Sequence, residues 1–160
     1  TLDKINDHYL QINSDYIGCV DDTCLATGEL LAVKDTPFDF NKRKRIGQDL
    51  EADHIQLKNA FGYDHSFVLN GTENQLTLEE PVSGRRLIIS TTAPVVQVYT
   101  GNFLKDGCIG KAGRVYENRE GVALETQLMP NAINTEENPS TILRKGDKFE
   151  SNTKYVFEIM

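Results

Sequence analysis

Three stretches of the sequence carry side chains able to move a proton or hold a hydroxyl group. Gly121 to Leu128, GVALETQL, contains Glu125, a residue type that serves as a general base. Val95 to Tyr99, VVQVY, contains Gln97, whose amide offers both donors and acceptors. Phe61 to Leu69, FGYDHSFVL, sets Asp64 and His65 just before an apolar run, with Gly62 permitting a close approach, so this pair could bind the hydroxyls of a ligand or cap a turn. Residue chemistry favours the cap, because an Asp ahead of a strand commonly bonds nearby backbone amides. His8, His54 and His65 are the imidazoles available for acid–base work. None has ligand-like spacing with another, so no metal site is expected.

The elements that must position these side chains are strands. Apolar residues recur mainly with period two, in short runs bounded by Gly, Pro, Asn and Asp, as half-buried strands require. Strands are expected at Tyr9 to Ile12, Leu30 to Val33, Ser66 to Leu69, Gln75 to Glu79, Arg86 to Thr91, Val95 to Tyr99, Val122 to Leu128 and Tyr155 to Ile159. Such spacing predicts an all-β sandwich or barrel. Within Gly121 to Leu128, alternation puts Val122, Leu124, Thr126 and Leu128 on one face and Ala123, Glu125 and Gln127 on the other, so Glu125 leaves the core-facing row. Gln97 shares a face with Val95 and Tyr99, opposite Val96 and Val98, and an amide in so apolar a strand needs a partner. On pattern alone, a solvated side chain on the wet face of a sheet is the favoured reading of both residues.

Between the strands, Asn70-Gly71 can supply the positive φ angles of a tight hairpin, and Pro81 to Gly84 separates two strands expected to pair antiparallel. Asn70-Gly71-Thr72 also fits an N-glycosylation acceptor, but the turn reading is the stronger one. Asp39 to Asn59 has weak helical character around Gly47 to Leu57, enough for a turn or two. Asn131 to Arg144 is polar, contains Pro139 and reads as a long surface loop. The basic run Asn41 to Arg45, NKRKR, could hold an anion, although a short basic turn in an acidic chain is more often solvated.

Composition narrows the function classes. The chain has 160 residues, 39% hydrophobic and 26% charged, enough to bury a core within one domain or part of a larger one. Its 17 basic and 24 acidic side chains leave a net charge of -7, which repels phosphate backbones and anionic lipid, so neither nucleic acid nor membrane is an expected partner. Cys19, Cys24 and Cys108 are odd in number and lack zinc-site spacing, which points to a reduced, cytoplasmic setting. No apolar run of about 18 residues is present to span a bilayer, and no signal-peptide pattern opens the chain. The chain starts at Thr1 in a polar stretch, so a segment upstream is expected.

Read in order, TGE (Thr27 to Glu29), TPFDF (Thr36 to Phe40), Ile46-Gly47, GYDHSFVL (Gly62 to Leu69), SGR (Ser83 to Arg85), VQVYTGNFL (Val96 to Leu104) and LETQ (Leu124 to Gln127) resemble the aldose 1-epimerase family, across nearly the whole chain. The resemblance implies a galactose mutarotase-like β-sandwich, the supersandwich, whose concave sheet holds an aldohexose. It implies that Glu125 is the catalytic base and that Asp64 and Gln97 bind the sugar. The family also uses a histidine general acid in an HxYFN-type segment, an upstream arginine and a second histidine, which nothing here matches. NDHYLQI (Asn6 to Ile12) resembles the strand that follows that segment, so His8 is not carried over as the acid. Residues 1–160 are thus expected to be a single domain, the C-terminal portion of an aldose 1-epimerase, without its upstream strands and general-acid histidine.

The activity implied is interconversion of the α and β anomers of aldohexoses such as galactose and glucose. A base removes the C1 hydroxyl proton, an acid protonates the ring oxygen, and no cofactor or metal is needed. Partial burial of Glu125 would suit it to the base role. Two alternatives stand beside this one: a non-catalytic sugar-binding sandwich, and a hexose-6-phosphate 1-epimerase. Upstream strands removed from a sandwich leave apolar edges exposed, so dimerisation is also an expectation.

Overall fold

The computed structural model describes residues 4–105, 109–135 and 141–160, and Cys108 and Pro139 lie outside them. The described chain forms ten strands: β1 (Tyr9–Ile12), β2 (Ser14–Val20), β3 (Ala26–Ala32), β4 (Lys44–Arg45), β5 (Asp64–Leu69), β6 (Leu76–Glu80), β7 (Arg85–Thr91), β8 (Val95–Tyr99), β9 (Ala123–Gln127) and β10 (Thr153–Ile159). One helix, α1 (Ile55–Ala60), interrupts them. The strands make two five-stranded antiparallel sheets, ordered β10-β7-β6-β1-β4 and β3-β2-β5-β8-β9. Among the described residues no helix is long and apolar enough to cross a membrane.

Period-two patterning explains how the sheets meet. In the first sheet Leu10 pairs with Leu78 and Ile12 with Leu76, which in turn pairs with Ile89. In the second, Phe67 pairs with Ile17 on one side and Val96 on the other. Both rows belong to one buried cluster. Phe38 and Phe40 of the TPFDF stretch join that cluster from a loop, packing edge-on to Tyr63 with ring centroids 5.5 and 5.3 Å apart. The Tyr63 hydroxyl leaves the aromatic layer by donating to the Pro37 carbonyl at 2.9 Å.

The β1 and β8 boundaries are those expected, and β6 and β7 pair across Pro81 to Gly84 as the turn predicts. Asn70-Gly71 is different: β5 lies in the second sheet and β6 in the first, so these residues begin a crossover between sheets rather than a hairpin. Gly71 does take a positive φ of 72°. The crossover is held by the buried Gln75 amide, which donates to Gly71 O at 2.8 Å and Thr91 O at 2.9 Å and accepts from Thr91 N at 2.8 Å. Strand β2 escaped the alternation pattern because its register shifts near both ends, around Ser14/Tyr16 and Gly18/Val20. Strand β4 has only two charged residues and exists through backbone pairing to Tyr9 and Leu10.

The helical segment is as short as expected but lies later, at Ile55–Ala60 rather than around Gly47 to Leu57. His54 caps α1 through Nδ1, which accepts from Gln56 N at 3.2 Å, and the helix ends on Phe61 in the left-handed region, at φ 56°. Gln56 ties the helix to the end of β2, exchanging bonds with Val20 N and O at 2.8 and 3.1 Å. A buried polar hub fastens the other end. Asn102 Nδ2 donates to Ala60 O at 2.7 Å and Tyr63 O at 3.1 Å, while its Oδ1 accepts from Thr100 and Arg119. Arg119 also donates to Phe61 O at 2.5 Å. The described part of the 131–144 connection contains no strand, only a 3-10 turn at Ala132–Asn134.

Strand β10 is a one-sided edge. Tyr155 and Phe157 pair with Ile89 and Leu87 of the core row, yet Phe157 is 78% exposed and Ile159 74%. The apolar row of the first sheet therefore runs on past its cover.

Two stability predictions come from these contacts. His65 is fully buried, and burial pushes its pKa from 6.5 down to about 3. As pH falls below 6.5 the unfolded chain binds a proton that the folded chain refuses, so stability is lost on acidification at up to about 1.4 kcal/mol per pH unit. His8, lowered by burial as well, acts in the same sense. Two carboxylates sit below their usual range: Glu79, where burial is outweighed by Arg43 and Arg86, and Glu80, bonded by Ser83 and Val82. Their contribution is lost only below their ordinary value of 4.5, so the loss of stability between pH 6.5 and 4.5 belongs to the imidazoles, and Asp64, whose pKa burial raises, opposes it. Thermal unfolding against pH should flatten there in His65→Gln; an unchanged slope would reject the assignment. Asn102→Ala, which leaves the Ala60 carbonyl without its partner and takes an acceptor from Thr100 and Arg119, should cost about 2 kcal/mol in urea unfolding, and a loss below about 1 kcal/mol would show that the hub is not holding the fold.

Candidate active site

The side chains that face away from the core on β5, β8 and β9 form one polar surface. Ser66 lies opposite Gln97, and Gln97 opposite Glu125; one step along, Asp64 lies opposite Tyr99, and Tyr99 opposite Ala123. The intervening residues His65, Phe67, Val96 and Val98 are buried on the reverse face. Strand pairing thus brings together the three residues singled out in the sequence, although they come from three separate motifs. They line a single open cleft of about 490 Å³ with Gln127, Tyr99, Phe103 and Pro130.

A hydrogen-bond chain runs across its floor. Ser66 Oγ donates to Gln97 Oε1 at 2.5 Å, and Gln97 Nε2 donates to Asp64 Oδ1 at 2.7 Å. The amide in the apolar strand therefore has the partners its position demands. Asp64 is half-buried, and that burial raises its pKa, with the Gln97 bond pulling the other way. Asp64 does not act through its side chain as a turn cap: it is the first residue of β5 and its carboxylate is in the cleft. Glu125 is exposed. The partial burial that would favour its basicity is not present in the described chain.

The wall of the cleft was not legible as such. Phe103 reaches it because Phe103 N donates to the Tyr99 hydroxyl at 2.9 Å and its neighbour Asn102 is anchored in the buried hub. Its ring packs edge-on to Phe61 with centroids 5.4 Å apart. Gln127 shares the outward parity of Glu125, and Tyr99 that of Gln97, so alternation carried a signal for both. Ser66 carried none, because only the β5–β8 register puts it against Gln97.

The histidines stand elsewhere. His65 is behind the sheet against Phe38, with ring centroids 4.7 Å apart, His54 caps α1, and His8 precedes β1. Among the described residues no group of three or more His, Cys, Asp or Glu side chains is arranged to hold a metal ion. Cys19 and Cys24 are free thiols. Three cations of the basic run are engaged beside the first sheet, where Arg43 pairs with Glu79, Lys44 with Asp49 and Arg45 with Asp7. A larger hollow, about 560 Å³, lies beside α1. Its cations are engaged, Lys58 with Asp53 and Arg119 with Phe61 O, and no polar row converges there as it does on the second sheet.

The family model for aldose 1-epimerase matches residues 1–156. Over 159 residues the chain is 38% identical to human galactose mutarotase, covering 98% of this chain and 45% of that protein. It is 34% identical over 159 residues to the aldose 1-epimerase of Haemophilus influenzae, covering 96% and 46%. Among solved structures, an aldose epimerase homologue from C. elegans superposes with a TM-score of 0.88 at 30% identity, covering 99% of this chain and 47% of that one. A galactose 1-epimerase from Lactobacillus acidophilus gives 0.75 at 30%, covering 98% and 45%. The chain spans about half the length of the curated relatives it matches. Sharing both sequence and two-sheet architecture with these proteins along nearly its whole length, the chain belongs to the aldose 1-epimerase family.

Proposed function

We propose that the chain is the C-terminal portion of an aldose 1-epimerase in which Glu125 takes the C1 hydroxyl proton of an aldohexose such as galactose or glucose while Asp64 and Gln97 hold its other hydroxyls. The observation that carries this reading is the convergence of those three side chains on one cleft. A floor of carboxylates and amides suits a polyol, since each sugar hydroxyl both donates and accepts.

Anomerisation is an acid–base reaction. Removal of the C1 hydroxyl proton lets the electron pair form the C1 carbonyl as the bond from C1 to the ring oxygen breaks, and the ring oxygen must receive a proton as it leaves. Rotation about C1–C2 and reclosure with the roles reversed gives the other anomer. Glu125 is assigned the first transfer, and the second needs a separate group. The described ionisable side chains of the cleft are Asp64, Tyr99 and Glu125, with no histidine among them, which supports an acid supplied from outside these 160 residues.

Exposure of Glu125 favours one other reading, a sugar-binding sandwich that does not turn its ligand over. A hexose-6-phosphate substrate has less support, because Arg43, Lys44 and Arg45 of NKRKR are paired beside the other sheet.

Polarimetry of freshly dissolved α-galactose and α-glucose separates these outcomes. One positioned acid contributes about 10²- to 10⁴-fold, so the chain alone should barely exceed the uncatalysed rate. Rapid mutarotation by the chain alone would overturn the external acid. In the full-length protein, Glu125→Gln should lower turnover by about 10²-fold or more with sugar affinity kept; an undiminished rate would remove Glu125 from the mechanism.

A further inference from the structure

We propose that Ser66 is a positioning residue of the cleft, its buried hydroxyl holding the carbonyl end of the Gln97 amide while Asp64 holds the nitrogen end, so that the amide is fixed at two points. This rests on the reading of Asp64 and Gln97 as the residues that hold the sugar.

The geometry supports a two-point hold. Ser66 stands directly across from Gln97, and Asp64 is two residues along the same strand and therefore on the same face. Strand β5 is central in its sheet, paired to β2 and β8, so both anchors sit on backbone that cannot drift. Ser66 is 4% exposed. Its neighbour across β2 is Gly18, where a Cβ would meet Met129 Sδ at 3.2 Å and Ser66 Cβ at 3.8 Å, so this corner of the floor is closed by packing.

Hydrogen-bond inventory then decides what Gln97 presents. The amide has two N–H donors and two oxygen lone pairs. An ionised Asp64 only accepts, so it takes an N–H, and the oxygen is turned to Ser66, which donates to it. One N–H and one lone pair remain, which a single sugar hydroxyl or an adjacent pair can satisfy. The chain runs from Ser66 through Gln97 to the Asp64 carboxylate, each bond polarising the next. With Ser66 removed, Gln97 is tethered at one end only and can swing about its side-chain torsions.

The test has two arms, a sugar-free one on the 160-residue chain and a binding one on the full-length protein. Without sugar, NMR follows ¹⁵N relaxation of the Gln97 side-chain amide and the ¹³C titration of the Asp64 carboxyl in wild type, Ser66→Ala and Ser66→Thr. Ser66→Ala should take the Gln97 order parameter into the flexible range, below about 0.6, and move the Asp64 midpoint up by about half a unit, and Ser66→Thr should restore both. An amide as rigid as wild type with an unmoved Asp64 midpoint in Ser66→Ala would overturn the proposal, as would failure of the threonine to restore them. With galactose as probe, Ser66→Ala should bind about threefold to tenfold more weakly than wild type, and equal affinity would also overturn it. If the full-length wild-type protein takes up no galactose, the proposed function is struck, and the sugar-free arm still decides whether Ser66 holds Gln97.

Discussion

Strands β5, β8 and β9 each turn one row of side chains into the core and the other into the cleft. The register that stacks Phe67 on Val96 also sets Ser66 against Gln97 and Gln97 against Glu125. Burying a side chain such as Phe67 or Val96 is worth roughly 1.5–3 kcal/mol. The polar row contributes far less to folding, since exposed or half-exposed hydrogen bonds largely replace bonds to water. Core packing therefore sets where the polar residues stand, and the site geometry is inherited from the hydrophobic side of the same strands.

A second constraint acts at one end of this sheet. Thr100, Asn102 and Arg119 satisfy one another and the carbonyls of Ala60, Phe61 and Tyr63, joining the turn after β8 to the end of α1. Such a network stabilises only when every member is satisfied. Above it Phe61 takes a left-handed backbone conformation, which costs a bulky residue roughly 1–2 kcal/mol, and the edge-on contact with Phe103 offsets part of that cost. The first sheet contributes the other half of the core and leaves the cleft to its partner.

Much of this was legible from alternation. Val95 to Tyr99 and Tyr9 to Ile12 matched their strands residue for residue because their apolar periods are unbroken. The parity of Glu125 and Gln97 was readable for the same reason. What escaped depends on partners distant in sequence. The shifted register of β2, the pairing that sustains β4 and the change of sheet after Asn70-Gly71 are decided by which strand lies alongside, and a local window carries no such information. Burial of Glu125 is likewise a property of whatever stands over it, and its strand parity, which favoured a solvated side chain, agrees with its exposure. Ser66 looked like an ordinary small strand residue until Gln97 was placed opposite.

Asp64 and His65 are consecutive, yet one lies in the cleft and the other in the core. That adjacency limits the kinds of change a lineage can accept here. Inserting or deleting one residue within β5 would exchange the two rows, turning imidazole and phenyl groups towards solvent and a carboxylate into the apolar interior. Substitution at single positions leaves the rows intact. Across β5, β8 and β9, change of ligand preference is open to replacement of side chains and closed to variation in strand length, and variation in length is confined to the turns that join the strands.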